Sequence, residues 1–385
     1  MPGLVPGIHV LLWIQPKTWM PGIKPGMTEC TRENLALKFG YCVQISKAVA
    51  SVANKNTRED SRVHQRTFAL AAAVIAVGLS TAHAQEKVWK HGILEAKSDA
   101  GFIAMVDKGG FAAKRGLKVE LLQIKAGATL MKALISGEID SVDMGAAESI
   151  VAGVRGTGVK IVGCTWPGVP QVVLAKADIK SLADLKGKTV AISSPGSLPD
   201  LLFRGMLDAA NVPFSDVKLA TQGADLDRYK SLVAGITDAA VVSNEFEAVM
   251  PSNIKVLAKG GSAVPKFIRL CIATSSKVLA GRRDDLVKFV AAEMDAYKFA
   301  ATHRDETIKV AHELTNAKPD DKRAEFISDQ AIRDKQIDPT LAIPADRIEW
   351  MQELFVKAGV IPKAVPTASL IDTSVRDDAA KLAGK

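Results

Sequence analysis

The sequence lacks most of the patterns that mark an enzyme or a nucleic-acid-binding protein. Its 385 residues include only 6 histidines and 4 cysteines. They contain no Gly-x-Ser-x-Gly elbow, no Gly-x-x-x-x-Gly-Lys phosphate loop, no His-Glu-x-x-His and no Cys-x-x-Cys. No cluster of Lys and Arg is interleaved with aromatic residues, as a nucleic-acid surface requires. We therefore expect no catalytic residues, no metal site, no cofactor and no nucleic-acid partner.

The apolar run at residues 68–79 is too short to cross a membrane, because a spanning helix needs about 20 residues. It follows Arg62 and Arg66, and the small-x-small sequence at 82–84 comes directly before Gln85. This pattern predicts a Sec signal peptide at 62–84 and a periplasmic mature protein. A buried alanine-rich helix is the alternative, but it would not explain the cleavage pattern.

Residues 1–61 precede the predicted signal and show no helical or strand period. Met-Pro-Gly occurs at both 1–3 and 20–22. Two interpretations stay open. Either the start codon is placed too far upstream and Val63 initiates translation, or these residues form a real disordered leader.

Removing residues 1–84 changes the charge balance and the cysteine count. The whole chain has 50 Lys and Arg against 42 Asp and Glu; residues 1–84 hold 9 and 4 of these, which leaves 41 and 38. Cys164 and Cys271 are the cysteines that remain. An oxidising compartment permits a disulfide but does not require one. We expect two buried free thiols, with a disulfide as the alternative.

From Lys87 onward, short β-rich runs alternate with helical patterns, which predicts an α/β fold. A first set of units has strands near 87–94, 117–122, 141–144 and 160–164. A strand at 171–175 precedes a second set with strands near 189–193, 217–221 and 239–242. The apolar strand at 267–273 is expected to return to the first lobe, and the helical remainder to pack on that lobe. The pattern therefore predicts two lobes joined by two crossing segments.

Three segments carry a resemblance to a known family. Leu134-Ile135-Ser136-Gly137-Glu138-Ile139-Asp140, residues 179–190 and residues 232–240 are similar to recurring signatures of the extracytoplasmic solute-binding proteins of ABC importers. The NMT1/THI5-like subgroup, which includes nitrate, sulfonate, taurine and thiamine-precursor binders, resembles this chain most. The likeness extends over residues 86–360.

The resemblance implies a type II-like periplasmic binding protein. Its first lobe would comprise residues 85–177 and 265–385, and its second lobe residues 178–264. Such a protein is a monomer that captures a small molecule by lobe closure and delivers it to an ABC permease and its ATPase. We expect hinges at 175–180 and 261–266. The alternatives are a secreted ligand-sensing module for a membrane receptor and a thiamine-pyrimidine-related enzyme. The cysteine-rich motif of the latter is missing here.

The ligand is expected where strand carboxyl ends meet helix N-termini across the cleft, because free backbone N–H groups collect there. The loop at 193–197 is the clearest such place, and we expect it to bind the most electronegative group of the ligand. Ser194 and Ser197 can instead be ordinary helix caps, and Trp166 can stack on a ligand or pack in the core. The predicted ligand-binding residues are Ser98, Asp99, Ala146, Ala147, Trp166, Ser194, Gly196, Ser197, Asn244 and Glu245.

The charge of these loops leaves the ligand open. Serine, glycine and helix N-termini favour an oxyanion such as a sulfonate, nitrate or carboxylate. Acidic residues in the same loops favour an amine or an aminopyrimidine; they are Glu95, Asp99, Glu148 and Glu245. Arg204 and Arg228 lie one to two turns into flanking helices. The sequence therefore predicts a small polar organic molecule or an oxyanion.

Overall fold

The computed structural model describes residues 88–384. The leader predicted at 1–61 and the signal peptide predicted at 62–84 lie outside the described residues. The described strands, in chain order, are β1 (Trp89–Leu94), β2 (Val119–Ile124), β3 (Ser141–Gly145), β4 (Val159–Trp166), β5 (Gln171–Lys176), β6 (Thr189–Ile192), β7 (Lys218–Thr221), β8 (Ala239–Ser243), β9 (Ile254–Lys259) and β10 (Leu270–Ser275).

Fourteen α-helices are described in residues 88–384. They are α1 (Ala100–Ile103), α2 (Met105–Lys108), α3 (Phe111–Lys114), α4 (Gly127–Ser136), α5 (Ala146–Val154), α6 (Leu198–Ala209), α7 (Asp225–Val233), α8 (Gly260–Ala263), α9 (Ser276–Gly281), α10 (Arg283–Thr302), α11 (Arg304–Thr315), α12 (Arg323–Arg333), α13 (Ala345–Lys357) and α14 (Thr373–Leu382). None of the helices in this part of the chain is both long enough and apolar enough to cross a membrane.

The strands form two five-stranded mixed sheets with the same plan. Sheet A has the order β2-β1-β3-β10-β4, and sheet B has the order β7-β6-β8-β5-β9. In sheet A, β1 is parallel to β2 and β3, while β10 runs antiparallel to β3 and β4. In sheet B, β6 is parallel to β7 and β8, while β5 runs antiparallel to β8 and β9. Each sheet therefore places one antiparallel strand, β10 or β5, between its parallel strands and an edge strand.

Matching residues build matching corners in the two lobes. Gly137 ends α4 with φ 82°, and Gly235 follows α7 with φ 74°. Glycine adopts this left-handed conformation without a Cβ clash. Three residues later, Asp140 accepts the Lys90 N–H at 2.8 Å, and Asp238 accepts the Thr189 N–H at 2.9 Å. These side chains pin adjacent strands together, so their role is in the scaffold.

The chain changes lobe earlier than the sequence predicted. Strand β5 hydrogen-bonds to β8 and β9, so residues 171–176 lie in the second lobe and not in the first. The linking segment is residues 167–170 and not 175–180, because Pro167 and Pro170 lack the N–H that a strand must donate. The return segment between β9 and β10 contains residues 261–266, where the second hinge is predicted.

Cys164 and Cys271 form a disulfide, which corrects the expectation of two free thiols. The two cysteines lie on the neighbouring antiparallel strands β4 and β10, where a shift in the strand register between Leu270 and Ile272 brings them side by side. They are 107 residues apart in sequence. Strand pairing over such a separation is not visible in a single sequence, and so the sequence left the pairing open.

Three of the C-terminal helices pack on the first lobe. Helix α10 lies against the short helices α1 to α3 and against α14, and α11 packs on α1. Helix α12 instead contacts the 3₁₀ segment Asn244–Val249 of the second lobe, and Lys357 at the end of α13 pairs with Asp208 at 2.5 Å. The C-terminal region therefore covers the first lobe and also touches the second.

Candidate functional site

A cavity of about 570 Å³ lies between the two sheets. Its walls come from the carboxyl ends of strands in both lobes and from the helices that follow them. The first lobe contributes residues 93–100 after β1 and the starts of α4 and α5; the second contributes residues 193–199, the start of α7, and Glu245. The volume is in the range of pockets that enclose a small molecule.

The cavity brings together six of the ten predicted ligand-binding residues. Those that line it are Ser98, Asp99, Ser194, Gly196, Ser197 and Glu245. Those that do not line it are Ala146, Ala147, Trp166 and Asn244. All four of these are buried: Ala146 and Ala147 begin α5, Trp166 ends β4, and Asn244 begins the 3₁₀ segment after β8.

Trp166 packs in the core and supports the site indirectly. Its ring meets Phe102 edge-on with 5.3 Å between centroids, and the Arg269 guanidinium lies 4.3 Å above the indole. Of the two roles that the sequence left open for Trp166, the structure therefore places it in packing. The contact fixes the plane of the Arg269 side chain.

Arg269 is a cavity residue that the sequence did not single out. It lies at the end of the return segment, directly before β10, and forms a buried ion pair with Asp99. Burial opposes ionisation of Asp99, but the nearby cations Arg269 and Lys97 together outweigh it and hold the pKa of that carboxyl below its usual value. Asp99 Oδ1 and Arg269 Nη1 are both buried without a hydrogen-bond partner.

An ion pair crosses the cleft between Lys97 and Asp225. Lys97 Nζ lies 2.6 Å from Asp225 Oδ2, and Asp225 also pairs with Arg228 and accepts the Ser243 N–H. Burial works against the charge on Asp225, but these cations reverse its effect and hold the pKa of Asp225 well below its ordinary value. Burial likewise lowers the pKa of Lys97, but Asp225, Asp99 and Glu245 together raise it above the ordinary lysine value.

Glu245 makes a second contact across the cleft. Its Oε2 accepts the Ser98 N–H at 3.2 Å, and its side chain is almost fully buried. Burial raises the pKa of Glu245 to about 7, and Lys97 offsets part of that rise. A fraction of this carboxyl is therefore protonated at neutral pH.

Glu148 makes the third contact between the lobes. It lies in the first turn of α5, and its Oε1 accepts the Leu198 N–H at the start of α6 at 2.8 Å. Burial raises the pKa of Glu148, and the Leu198 hydrogen bond opposes the rise. Glu148 Oε2 is buried and has no hydrogen-bond partner.

The backbone N–H groups of Ser194 and of residues 196–198 already have acceptors within the protein. The Ser194 N–H donates to Ser197 Oγ at 3.3 Å, and the Gly196 N–H donates to Asp200 at 2.8 Å. The Ser197 N–H reaches the Ser194 carbonyl at 3.2 Å, and Glu148 takes the Leu198 N–H. The prediction that this loop binds an electronegative ligand group stays a prediction, and these bonds weigh against it.

A buried polar cluster lies beneath the cavity. Asp143, which lines the cavity floor, accepts hydrogen bonds from Thr165 at 3.1 Å and Tyr297 at 3.2 Å. Burial raises the pKa of Asp143 to about 6. Further inside, His91 Nδ1 lies 2.7 Å from Ser141 Oγ, and His91 Nε2 lies 4.0 Å from Glu293. These three side chains are fully buried and out of reach of a substrate.

The model of the family described as NMT1/THI5 like matches residues 98–307. The chain belongs to this family. No curated protein matches the chain in sequence. In residues 88–384, no three His, Cys, Asp or Glu side chains are grouped to hold a metal ion.

Solved structures of periplasmic binding proteins share the fold of this NMT1/THI5-like protein. The aliphatic sulphonate binding protein SsuA of Escherichia coli is 19% identical, with a TM-score of 0.61 over 74% of this chain and 92% of that one. SsuA of Xanthomonas axonopodis pv. citri bound to MOPS is 18% identical, with a TM-score of 0.64 over 75% of this chain and 99% of that one. The nitrate-binding protein NrtA of Synechocystis PCC 6803 is 17% identical, with a TM-score of 0.63 over 77% of this chain and 89% of that one. These neighbours are binding proteins and not enzymes, and they confirm the two-lobed α/β fold.

Proposed function

We propose that this chain is the periplasmic substrate-binding component of an ABC import system. The observation that carries the proposal is the cavity between sheets A and B, which both lobes line and which two segments of the described residues 88–384 bridge. Lobes linked in this way close on a ligand by hinge rotation. The closed form would present one composite surface to a permease, whose ATPase drives release.

Several features support this role. The chain belongs to the NMT1/THI5-like family, and its solved neighbours are periplasmic proteins that bind sulfonates or nitrate. The predicted signal peptide at 62–84 directs the protein to the same compartment. The ligand in this proposal is a small polar organic molecule or an oxyanion, and the protein acts as a monomer. Segments 167–170 and 260–269 serve as the hinges.

Titration of the purified protein with a panel of small sulfonates, nitrate, carboxylates and amino-heterocycles tests the proposal. We expect at least one compound to bind and to lower the radius of gyration in small-angle scattering.

Deletion of the gene should then reduce uptake of that compound. Wild type and the control Arg333→Ala, which changes an exposed arginine outside the cavity, should restore it, whereas Arg269→Ala should not. Unchanged scattering at saturation together with unchanged uptake would reject the proposal; binding and closure without an uptake defect would favour a sensory module.

A further inference from the structure

The N-terminus of α6 already holds an anionic group, and that group belongs to the protein. Glu148 reaches across the cleft from α5 and accepts the Leu198 N–H at 2.8 Å. Helix α6 has 12 residues, so its dipole favours a negative charge at this end. Because the other N–H groups of the 194–197 turn have acceptors within the loop, an oxyanion arriving here would have to displace Glu148.

The buried polar atoms of the cavity that lack a partner are mostly acceptors. Glu148 Oε2, Asp99 Oδ1 and Gln171 Oε1 have no hydrogen-bond donor, and Arg269 Nη1 has no acceptor. Asp99 is 2% exposed and Gln171 is 5% exposed, so bulk water does not solvate them. A buried acceptor without a donor is unfavourable. A ligand that brings N–H groups into this cavity would satisfy these atoms.

The charged side chains of the cavity favour the same class of ligand. Five of the six lysines and arginines that line the cavity are paired with carboxylates, among them Lys97 and Arg228 with Asp225 and Arg269 with Asp99; the sixth, Arg155, is exposed to solvent. No lysine or arginine within residues 88–384 forms an ion pair with Glu148. An anionic ligand would therefore meet an unpaired carboxylate, whereas a cationic one would neutralise it.

We propose that Glu148 occupies the anion position at the α6 N-terminus, and that the cleft consequently selects a ligand with N–H donors, such as an amine or amidine, over an oxyanion. This inference rests on the proposed function, because it assumes that the cavity between the lobes binds the ligand. Glu148 is the specificity-determining residue of the cleft. Its Oε1 accepts the Leu198 N–H at the N-terminus of α6, and its Oε2 accepts a hydrogen bond from the ligand.

Four probes that share a phenyl ring and differ in their polar group test this inference: benzamidine, benzylamine, benzoate and benzenesulfonate. Calorimetric titrations would use wild type, Glu148→Ala, Glu148→Gln and the control Glu138→Gln, which alters an exposed side chain. We expect wild type and Glu138→Gln to bind benzamidine or benzylamine at least tenfold more tightly than benzenesulfonate. Glu148→Ala should invert that preference, because it removes the acceptor and frees the Leu198 N–H. Glu148→Gln, which keeps an acceptor oxygen and removes the charge, should give an intermediate ratio.

Thermal melts of each variant show whether the protein folds, and Glu148→Gln serves if Glu148→Ala does not. Tighter binding of benzenesulfonate than of benzamidine by wild type, an unchanged ratio in both Glu148 variants, or binding of neither class at millimolar concentration would overturn the inference. These results are distinct from failure of the proposed function. A wild type that closes on a sulfonate and supports its uptake would keep that function and reject the selection by Glu148.

Discussion

Lys97 Nζ lies 2.6 Å from Asp225 Oδ2, and this bond joins the loop after β1 in one lobe to the first turn of α7 in the other. Glu245 and Glu148 also reach a backbone N–H group on the opposite lobe. The three contacts use side chains on the cavity wall, so the groups that meet a ligand also hold the lobes together. Ligand affinity and lobe closure are therefore coupled through the same residues.

Replacing Lys97 with methionine should loosen the closed arrangement. The variant removes the contact to Asp225 and leaves Arg228 to neutralise that carboxylate. Partly exposed pairs of this kind contribute up to about 1 kcal/mol, so ligand affinity should fall by up to about fivefold. Small-angle scattering of the ligand-free variant should give a larger radius of gyration. Lys309→Met, at an exposed pair with Glu313, is the control; equal radii for both variants would contradict the prediction.

Reduction of the Cys164–Cys271 bond should destabilise the protein strongly. The bond closes a loop of 107 residues, which in the chain-entropy model corresponds to about 4 to 5 kcal/mol. Alkylation of the denatured protein without reductant should label neither cysteine, and dithiothreitol should lower the melting temperature. The double variant Cys164→Ala with Cys271→Ala should be insensitive to dithiothreitol. Labelling of both cysteines before reduction would show free thiols instead.

Glu245→Gln should stabilise the protein at neutral and alkaline pH. In the unfolded chain this carboxyl has a pKa near 4.5, and in the folded protein burial raises the pKa to about 7. The folded state therefore binds more protons between these values, and the free energy of unfolding falls as pH rises from about 4.5 to about 7. Glutamine does not ionise, so Glu245→Gln avoids this loss of folding stability, which is on the order of 3 kcal/mol. Melting temperatures should differ by several degrees at pH 8 and converge below pH 4.5.

Glu349→Gln, at an exposed position of α13, is the matched control for this pH series. Its melting curve should follow that of wild type at every pH. A constant offset between Glu245→Gln and wild type from pH 4 to pH 8 would mean that ionisation of Glu245 does not oppose folding.

Ser197→Ala should reduce stability more than affinity. The Ser197 hydroxyl donates to the Ser194 carbonyl at 2.6 Å and accepts the Ser194 N–H at 3.3 Å, so it organises the turn before α6. Loss of these hydrogen bonds should cost about 1 kcal/mol. Thermal melts of the ligand-free variant should show the loss, while titration with the best-binding compound of the panel gives nearly the wild-type affinity. A tenfold weaker affinity with an unchanged melt would support the hydroxyl contact that the sequence predicted.

The sequence predicts the fold well because its signals are local. Gly137 and Gly235 mark helix ends, and Asp140 and Asp238 each follow three residues later. The alternation of strands and helices can likewise be recognised from residues that are neighbours in sequence. The sequence placed β5 in the first lobe, and this was wrong because a strand pattern does not reveal which sheet the strand joins. In the cleft, residues of strand-end loops such as Asp99 and Glu245 could be found from chain order alone.

Other cavity residues depend on contacts over a long range. Arg269 reaches the cleft only because β10 inserts beside β3, and Glu148 meets Leu198 only because the two lobes approach each other. Ala146 and Ala147 precede Glu148 on α5 but face the core, since the sequence does not give the rotation of that helix about its axis. The helix end that looked free for a ligand is therefore occupied by a residue 50 positions earlier in the chain.

The insertion of β10 between β3 and β4 also sets an order of folding. The strands of sheet B are contiguous in sequence from Gln171 to Lys259, so the second lobe can assemble as soon as those residues are together. Sheet A must wait for Leu270–Ser275 before β4 has a neighbour. Pairings between distant residues form slowly, because the chain between them must first be ordered. A chain that ends before Leu270 would hold a complete second lobe beside a first lobe that lacks the strand between β3 and β4 and cannot form its disulfide.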